Sequence, residues 1–284
     1  MKKILFALMC LSYPSFSYAD NVILMIGDGM GENHLKCAEK EKSLYITTLP
    51  VKGYVQTRSA DNDITDSAAS ATAYACGIKT NNGMIGKMPS GEDCQTIAEK
   101  AVQNRYAAGV YSTDYSTGAT PSAFYAHASN RYERETINAH KEKASASMDI
   151  QVPVKKLSAS VLERLNHLSS LPDKNGFFAM FEGALIDSYS HGNQPEKMKQ
   201  ELYDFDASVM NAASFVNEHP ETTLIVLADH ETGGLNDECI FTSRDHTGTD
   251  ILVYAYGKHA YLFSGYHDNT EIHQKMENIL FNEK

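Results

Sequence analysis

Three apolar runs in this chain each end on an acidic residue. Val22-Ile23-Leu24-Met25-Ile26 runs into Gly27-Asp28-Gly29, Phe177-Phe178-Ala179-Met180-Phe181 into Glu182-Gly183, and Leu224-Ile225-Val226-Leu227-Ala228 into Asp229-His230. A strand with one wet face alternates polar and apolar residues. Runs without alternation read as strands buried on both faces, as in a parallel sheet. Ala108-Gly109-Val110-Tyr111 and Ile251 to Tyr256 are further strand candidates. Between them, apolar residues recur at helical spacing: Val154, Leu157, Val161, Leu162, Leu165 and Leu168; Leu202, Phe205, Val209 and Val216; Ile97, Ala101 and Val102; Ile272, Met276, Ile279 and Leu280. Strands alternating with helices imply an α/β fold, a single domain whose central, mainly parallel sheet is sandwiched by helices. Ligands bind such sheets at the carboxyl ends of the strands. An acidic residue there is usually a turn former or a cap. Three of them at one edge, in Gly- or His-containing tails, point instead to a site.

Composition bounds the rest. Of 284 residues, 42% are hydrophobic, enough for one substantial core, and no second core is evident. The polar stretch from Tyr132 to Gln151 reads as an exposed connection. A formal net charge of −11 without a basic run argues against a nucleic-acid-binding surface or an anionic membrane as partner. It does not exclude a phosphorylated substrate, because bound cations reverse a local field. Lys2 and Lys3, the apolar stretch Ile4 to Leu11 and the small residues of Ser17-Tyr18-Ala19 read as a secretory signal over residues 1–19. That leaves residues 20–284 as the one folded domain. The apolar stretch is too short for a membrane span. Met9 before Cys10 argues for free export over a lipid anchor, and hence a periplasmic or extracellular location. Export permits disulfides among Cys37, Cys76, Cys94 and Cys239, with three complete pairings open. None of the four is spaced as a zinc knot, and Cys76, in an apolar run, also reads as a buried thiol.

Residues suited to metal binding collect near the acidic strand ends. Asp187 and His191 share one helix face at a spacing of four. Asp229 and His230 follow a strand, and His246 precedes one. The other histidines, His34, His140, His167, His219, His259, His267 and His273 among them, lie in no such setting, and most read as solvated. Zinc accepts imidazole and carboxylate, magnesium prefers oxygen, and paired ions clamp both oxygens of an in-line phosphoryl transfer. Ser67, in Thr65-Asp66-Ser67-Ala68-Ala69-Ser70, opens an Ala- and Ser-rich helix. Its plain reading is an N-cap. Its chemical reading is a nucleophile at a helix terminus that favours phosphate. Arg131, in His127-Ala-Ser-Asn-Arg131, is a bidentate phosphate clamp if a helix there returns to the same edge.

Taken together these residues resemble the alkaline phosphatase family. The matching blocks are NVILMIGDGMG, ITDSAASATAYACGIKTNNGMIG, ATPSAFYAHASNR, FFAMFEGALIDSYSHGN, LADHETGGL and DHTGTDILVYAYG, in the family's order over nearly the whole mature chain. The resemblance implies a homodimer that hydrolyses small phosphate monoesters. It implies one zinc on Asp187, His191 and His246, and a second on Asp28, Asp229 and His230 with Ser67. Asp28 would also bridge to a magnesium on Thr120 and Glu182. Ser67 would carry the phosphoserine intermediate, Arg131 would bind phosphate, and Asp66 would orient Arg131.

Two departures stand out. Gly118, in Ser116-Thr117-Gly118-Ala119-Thr120, occupies the place of an Asp or His that relatives carry beside the magnesium site. The segments from Arg131 to Glu182 and from Gly234 to His246 are abbreviated, which implies a compact, shortened member. Two rivals remain: a phosphodiesterase of the same superfamily, and an inactive exported metal-binding relic. A sulfatase is disfavoured, because Ser67-Ala68-Ala69-Ser70-Ala71 lacks the required Pro and Arg pattern.

Overall fold

The computed structural model describes residues 20–281, so the signal read over residues 1–19 lies outside the described residues. The strands are β1 (Asn21–Gly27), β2 (Val51–Gln56), β3 (Ala107–Ser112), β4 (Asp149–Gln151), β5 (Phe177–Gly183), β6 (Thr222–Leu227), β7 (Glu231–Thr232), β8 (His246–Thr247), β9 (Ile251–Gly257) and β10 (Gly265–Asp268). The helices are α1 (Glu32–Glu39), α2 (Ser67–Cys76), α3 (Ile97–Gln103), α4 (Ala119–Ser122), α5 (Arg134–Ala144), α6 (Leu157–Ser170), α7 (Leu185–His191), α8 (Pro195–Glu218) and α9 (Asn269–Phe281).

Eight strands form one sheet in the order β10-β2-β9-β6-β1-β5-β3-β4, while β7 and β8 pair separately. Only β9 runs against its neighbours. Every residue of β1, β5 and β6 is buried, as their unalternating apolar sequences require. These three strands are adjacent, with Ile26 opposite both Glu182 and Leu227. Strands in a sheet lie about 4.8 Å apart, so Asp28, at the end of the middle strand, stands about one strand spacing from Glu182 on one side and from Asp229 on the other. Helices α6 and α8 pack together and bury apolar stripes against the sheet.

Several local expectations change. The stretch 132–151 is not simply a connection: it holds α5, with Ile137 as its one buried residue, and the edge strand β4. Residues 127–131 form a loop rather than a helix. It is pinned by paired backbone hydrogen bonds between Ile85 and Ala128 and by Arg131 N–H donating to the Gly83 carbonyl. Cys76 is not a free thiol. The four cysteines pair as Cys37–Cys239 and Cys76–Cys94. Of the histidines outside the acidic strand ends, His140, His167, His219 and His259 are at least partly exposed, as expected of most of them, whereas His34, His267 and His273 are buried. His34 bonds Ser190 Oγ, and His273 bonds the Tyr74 carbonyl, so both are spent on packing. Among the described residues, no helix is long and apolar enough to cross a membrane.

Candidate active site

Asp28 leaves β1, Glu182 closes β5 and Asp229 follows β6, so the central strands deliver three carboxylates to one edge, all of them buried. Gly29 turns the chain just after Asp28 with φ +71°. A Cβ there would lie 2.9 Å from the Asp187 backbone and 2.8 Å from Thr232 Oγ1, so only glycine lets these segments meet.

Helix α2 brings Ser67 to the same edge. Its N-cap is Asp66, not Ser67: Asp66 Oδ1 accepts the Ala69 N–H at 3.0 Å. Ser67 is the first helical residue, and its hydroxyl is left for another partner, His230 Nε2, at 3.2 Å. The helix is seated on the end of β6 by Ser70 and Tyr74, which donate to the carbonyls of Asp229 and Ala228.

Around His230 Nε2 stand Ser67 Oγ at 3.2 Å, Asp229 Oδ2 at 3.2 Å and Asp28 Oδ1 at 3.5 Å. Among the described residues neither carboxylate oxygen has a hydrogen-bond partner, although both are buried. Asp229 spends its other oxygen on the N–H groups of Gly29 and His230. A second group lies alongside. His191 Nε2 is 3.1 Å from His246 Nε2 and 3.3 Å from Asp187 Oδ1, which is 3.7 Å from His246 Nε2.

The protonation of these rings follows from their outer partners. Carbonyls only accept, so His191 Nδ1 donates to Arg244 and His246 Nδ1 donates to Thr65. In the neutral rings both Nε2 atoms are then lone pairs facing each other. Thr232 fixes the third ring. Its hydroxyl donates to Asp187 Oδ1 at 2.6 Å, so it accepts from His230 Nδ1 at 3.1 Å and leaves His230 Nε2 unprotonated too. Opposed lone pairs and unpartnered carboxylates are repulsive by themselves and attractive around a cation. Ligands 2.0–2.1 Å from a tetrahedral ion lie about 3.3 Å apart, the separation seen in both groups. Asp28, Asp229 and His230 have donor atoms close enough to hold a divalent metal ion, as do Asp187 and His246 with His230, and His191 Nε2 borders that second set. The His230 and His246 rings stack 3.6 Å apart, so the two groups share a wall.

Electrostatics agrees. Burial, then the neighbouring Asp229, Asp187, Glu182 and Asp114, pushes the Asp28 carboxyl far above its ordinary range. Burial and then Asp114 does the same to Glu182, and burial raises Asp229. Burial and then His246 holds His230 well below the usual imidazole range. This much acidity without positive charge is unfavourable.

Beyond Asp28 lies a third set. Thr120, on α4, and Glu182 are both buried. Thr120 Oγ1 and Glu182 Oε1 make no hydrogen bond of ordinary geometry, while Ser112 donates to Glu182 Oε2. Arg131 Nη1 donates to Asp66 Oδ2 at 3.0 Å, and that oxygen also accepts the Gly83 N–H at 3.1 Å. Burial opposes the Arg131 charge, but the Asp66 ion pair keeps its pKa above the ordinary value. One residue, Asp66, thus caps the Ser67 helix and anchors the arginine.

All eleven residues singled out from the sequence converge on this edge. Thr232, Ser112, Asp114 and Glu231 join them at this edge without any motif to mark them. The Glu231 carboxylate accepts N–H groups of Gly234 and Leu235 and the Thr247 hydroxyl, bracing the turn after His230. Their only sequence signal is proximity to Asp229-His230 or to the strand ends.

A family model described as alkaline phosphatase matches residues 19–163, 153–240 and 237–281. The chain belongs to the alkaline phosphatase family. It is 27% identical to the repressible alkaline phosphatase of Saccharomyces cerevisiae, over 87% of this chain and 61% of that protein. It is 28% identical to alkaline phosphatase 4 of Bacillus subtilis, over 75% of this chain and 62% of that one. The chain therefore spans about three-fifths of the length of these curated relatives. Among solved structures, the alkaline phosphatase of the Antarctic bacterium TAB5 superposes with a TM-score of 0.85 at 29% identity, over 93% of this chain and 98% of that one.

Proposed function

We propose that this alkaline phosphatase family member is an exported phosphomonoester hydrolase that works through a phosphoserine on Ser67. The observation that carries the proposal is the setting of the Ser67 hydroxyl. It does not cap its helix, and it points into a ring of buried, unpartnered carboxylate oxygens and a lone-pair imidazole nitrogen. Asp187, His191 and His246 would hold one zinc ion. Asp28, Asp229 and His230, with Ser67, would hold the other. Asp28, Thr120 and Glu182 would hold magnesium, whose preference for oxygen matches that set. Bound there, the cations would supply Lewis acidity to the serine and ester oxygens and would neutralise the buried carboxylates.

The chain's own groups then divide the work. Arg131 binds two oxygens of the phosphoryl group, held in place by Asp66. The N-terminus of α2 faces the same dianion, where free N–H groups favour negative charge. Ser67 Oγ, having lost its proton, bonds to phosphorus as the bond to the departing alcohol oxygen breaks, and that alcohol takes up a proton. Water next bonds to phosphorus, the bond to Ser67 breaks, and inorganic phosphate leaves with the serine hydroxyl restored. Export is supported by the two disulfides, which persist in oxidising compartments.

Two measurements test this reading. The ratio of kcat/KM for an aryl phosphate to that for its diester is expected to exceed about 100, since a diester puts a second bulky group against Arg131. A diester preference would move the chain to the phosphodiesterase reading. Substituting Arg131→Lys keeps charge but removes the planar fork. It is expected to weaken inhibition by inorganic phosphate by about 10-fold, and an unchanged inhibition constant would remove Arg131 from the phosphate site.

A further inference from the structure

Gly118 leaves a gap in the sequence pattern beside the third cation position, and the structure fills that gap from a different residue. A Cβ built on Gly118 would lie 1.9 Å from Asp114 Oδ2, 2.5 Å from Asp114 Cγ and 2.9 Å from Asp114 Cβ. The Asp114 carboxylate therefore occupies the volume that a side chain at position 118 would enter. Gly118 has φ −54° and ψ 141°, which any residue adopts, so its value here is space and not backbone freedom.

The turn between β3 and α4 is tied so that Asp114 stays in place. Its N–H donates to Ser112 Oγ at 2.8 Å, and its Oδ1 accepts the Tyr115 N–H at 2.7 Å. The Gly118 N–H closes the turn on the Tyr115 carbonyl at 2.9 Å. Ser112 in turn donates to Glu182 Oε2, joining Asp114 to the third set through one hydroxyl. Oδ2 of Asp114 has no hydrogen-bond donor among the described residues. Glu182 Oε1 and Thr120 Oγ1, buried where Asp114 is half-buried, also make no hydrogen bond of ordinary geometry among the described residues. Oxygens collected without a donor call for a cation or for water held by one.

We propose that Asp114 is a positioning residue of the magnesium site, accepting hydrogen bonds from the ion's water through Oδ2, and that Gly118 is what admits it. Asp114 stands outside both tight ligand groups, which fits contact through water, and magnesium usually keeps several waters. This inference rests on the metal-dependent reading above. The competing role for Asp114 is to hold Arg131, because its carboxylate also feels the charges of Arg131 and Asp187.

The test is magnesium binding to the zinc-loaded protein, by equilibrium dialysis with metal analysis, alongside the inhibition constant for inorganic phosphate. Asp114→Asn is expected to weaken magnesium binding about 10–100-fold with zinc content unchanged. Gly118→Ala removes no ligand, yet it is expected to cost about as much, because its Cβ displaces the Asp114 carboxylate. The double variant should lose little more than either single one. Asp114→Ala combined with Gly118→Asp should regain part of the affinity. Wild-type magnesium affinity in Asp114→Asn would overturn the assignment, as would loss of zinc together with magnesium. Weaker phosphate inhibition at unchanged magnesium affinity would hand Asp114 to Arg131. An unaltered protein that binds zinc but no magnesium would overturn the third site itself, a failure visible before any substitution is made.

Discussion

Replacing Ser67 with alanine is expected to lower turnover of an aryl phosphate by on the order of 10⁴-fold or more, with little change in metal content or melting temperature. The asymmetry follows from what the hydroxyl does. Asp66 satisfies the α2 terminus, so removing the Ser67 hydroxyl leaves the helix capped. The hydroxyl's one hydrogen bond is to His230, and losing it is worth about 1 kcal/mol of stability. The measurement is kcat beside acid-quenched trapping of phosphate, with the modified residue located by mass spectrometry. Phosphate should appear on Ser67 in the wild type and nowhere in the variant. Turnover within tenfold of wild type would mean that another group attacks phosphorus.

Stripping the metals with a chelator is expected to abolish activity and to lower the melting temperature by on the order of 10 °C. A ligand at 1,000 times its Kd stabilises by about 4 kcal/mol, and a domain of this size melts about 2–4 °C lower per kcal/mol lost. The pH dependence separates this mechanism from general loosening. In the stripped protein, burial and then mutual repulsion hold Asp28 and Glu182 above the ordinary carboxylate range, and burial raises Asp229. Between the ordinary range and the raised values the folded chain binds more protons than the unfolded one. Stability from these groups is therefore greatest at the acidic end of that window and falls as pH rises through it. The loaded protein runs the other way, because protons displace cations as pH falls. The gap in melting temperature between loaded and stripped protein should widen from pH 5 to pH 8. Parallel profiles would show that the carboxylates are not compensated by metal.

The central sheet was legible because three of its strands are buried on both faces, and burial on both faces leaves a continuous apolar run in the sequence. Their ends were legible for the same reason: Asp28, Glu182 and Asp229 interrupt those runs. Elsewhere the sequence is ambiguous. Residues 127–131 look helical by composition, but the loop is set by backbone bonds to Gly83 and Ile85, a pairing across distant residues that no local pattern announces. Ser67 looks like a cap because serine commonly is one, and the neighbouring Asp66 takes that role in its place. His34 and His273 look like surface residues until their partners, Ser190 and the Tyr74 carbonyl, arrive from distant parts of the chain. Asp114 gave no signal, since its meaning depends on a missing side chain four residues later.

The Cys37–Cys239 bond joins α1, just after the segment that carries Asp28, to the loop that leads to His246. Thiol oxidation thus locks together two stretches that must meet before the cations have a place to sit. A chain held reduced would have to keep that loop docked by its hydrogen bonds, such as Asn33 Nδ2 to the Leu235 carbonyl and Lys40 Nζ to the Asp237 carbonyl. On the metal-dependent reading proposed above, oxidative maturation would then come before metal loading, and uptake of the proposed ions would report that a molecule had passed the first step.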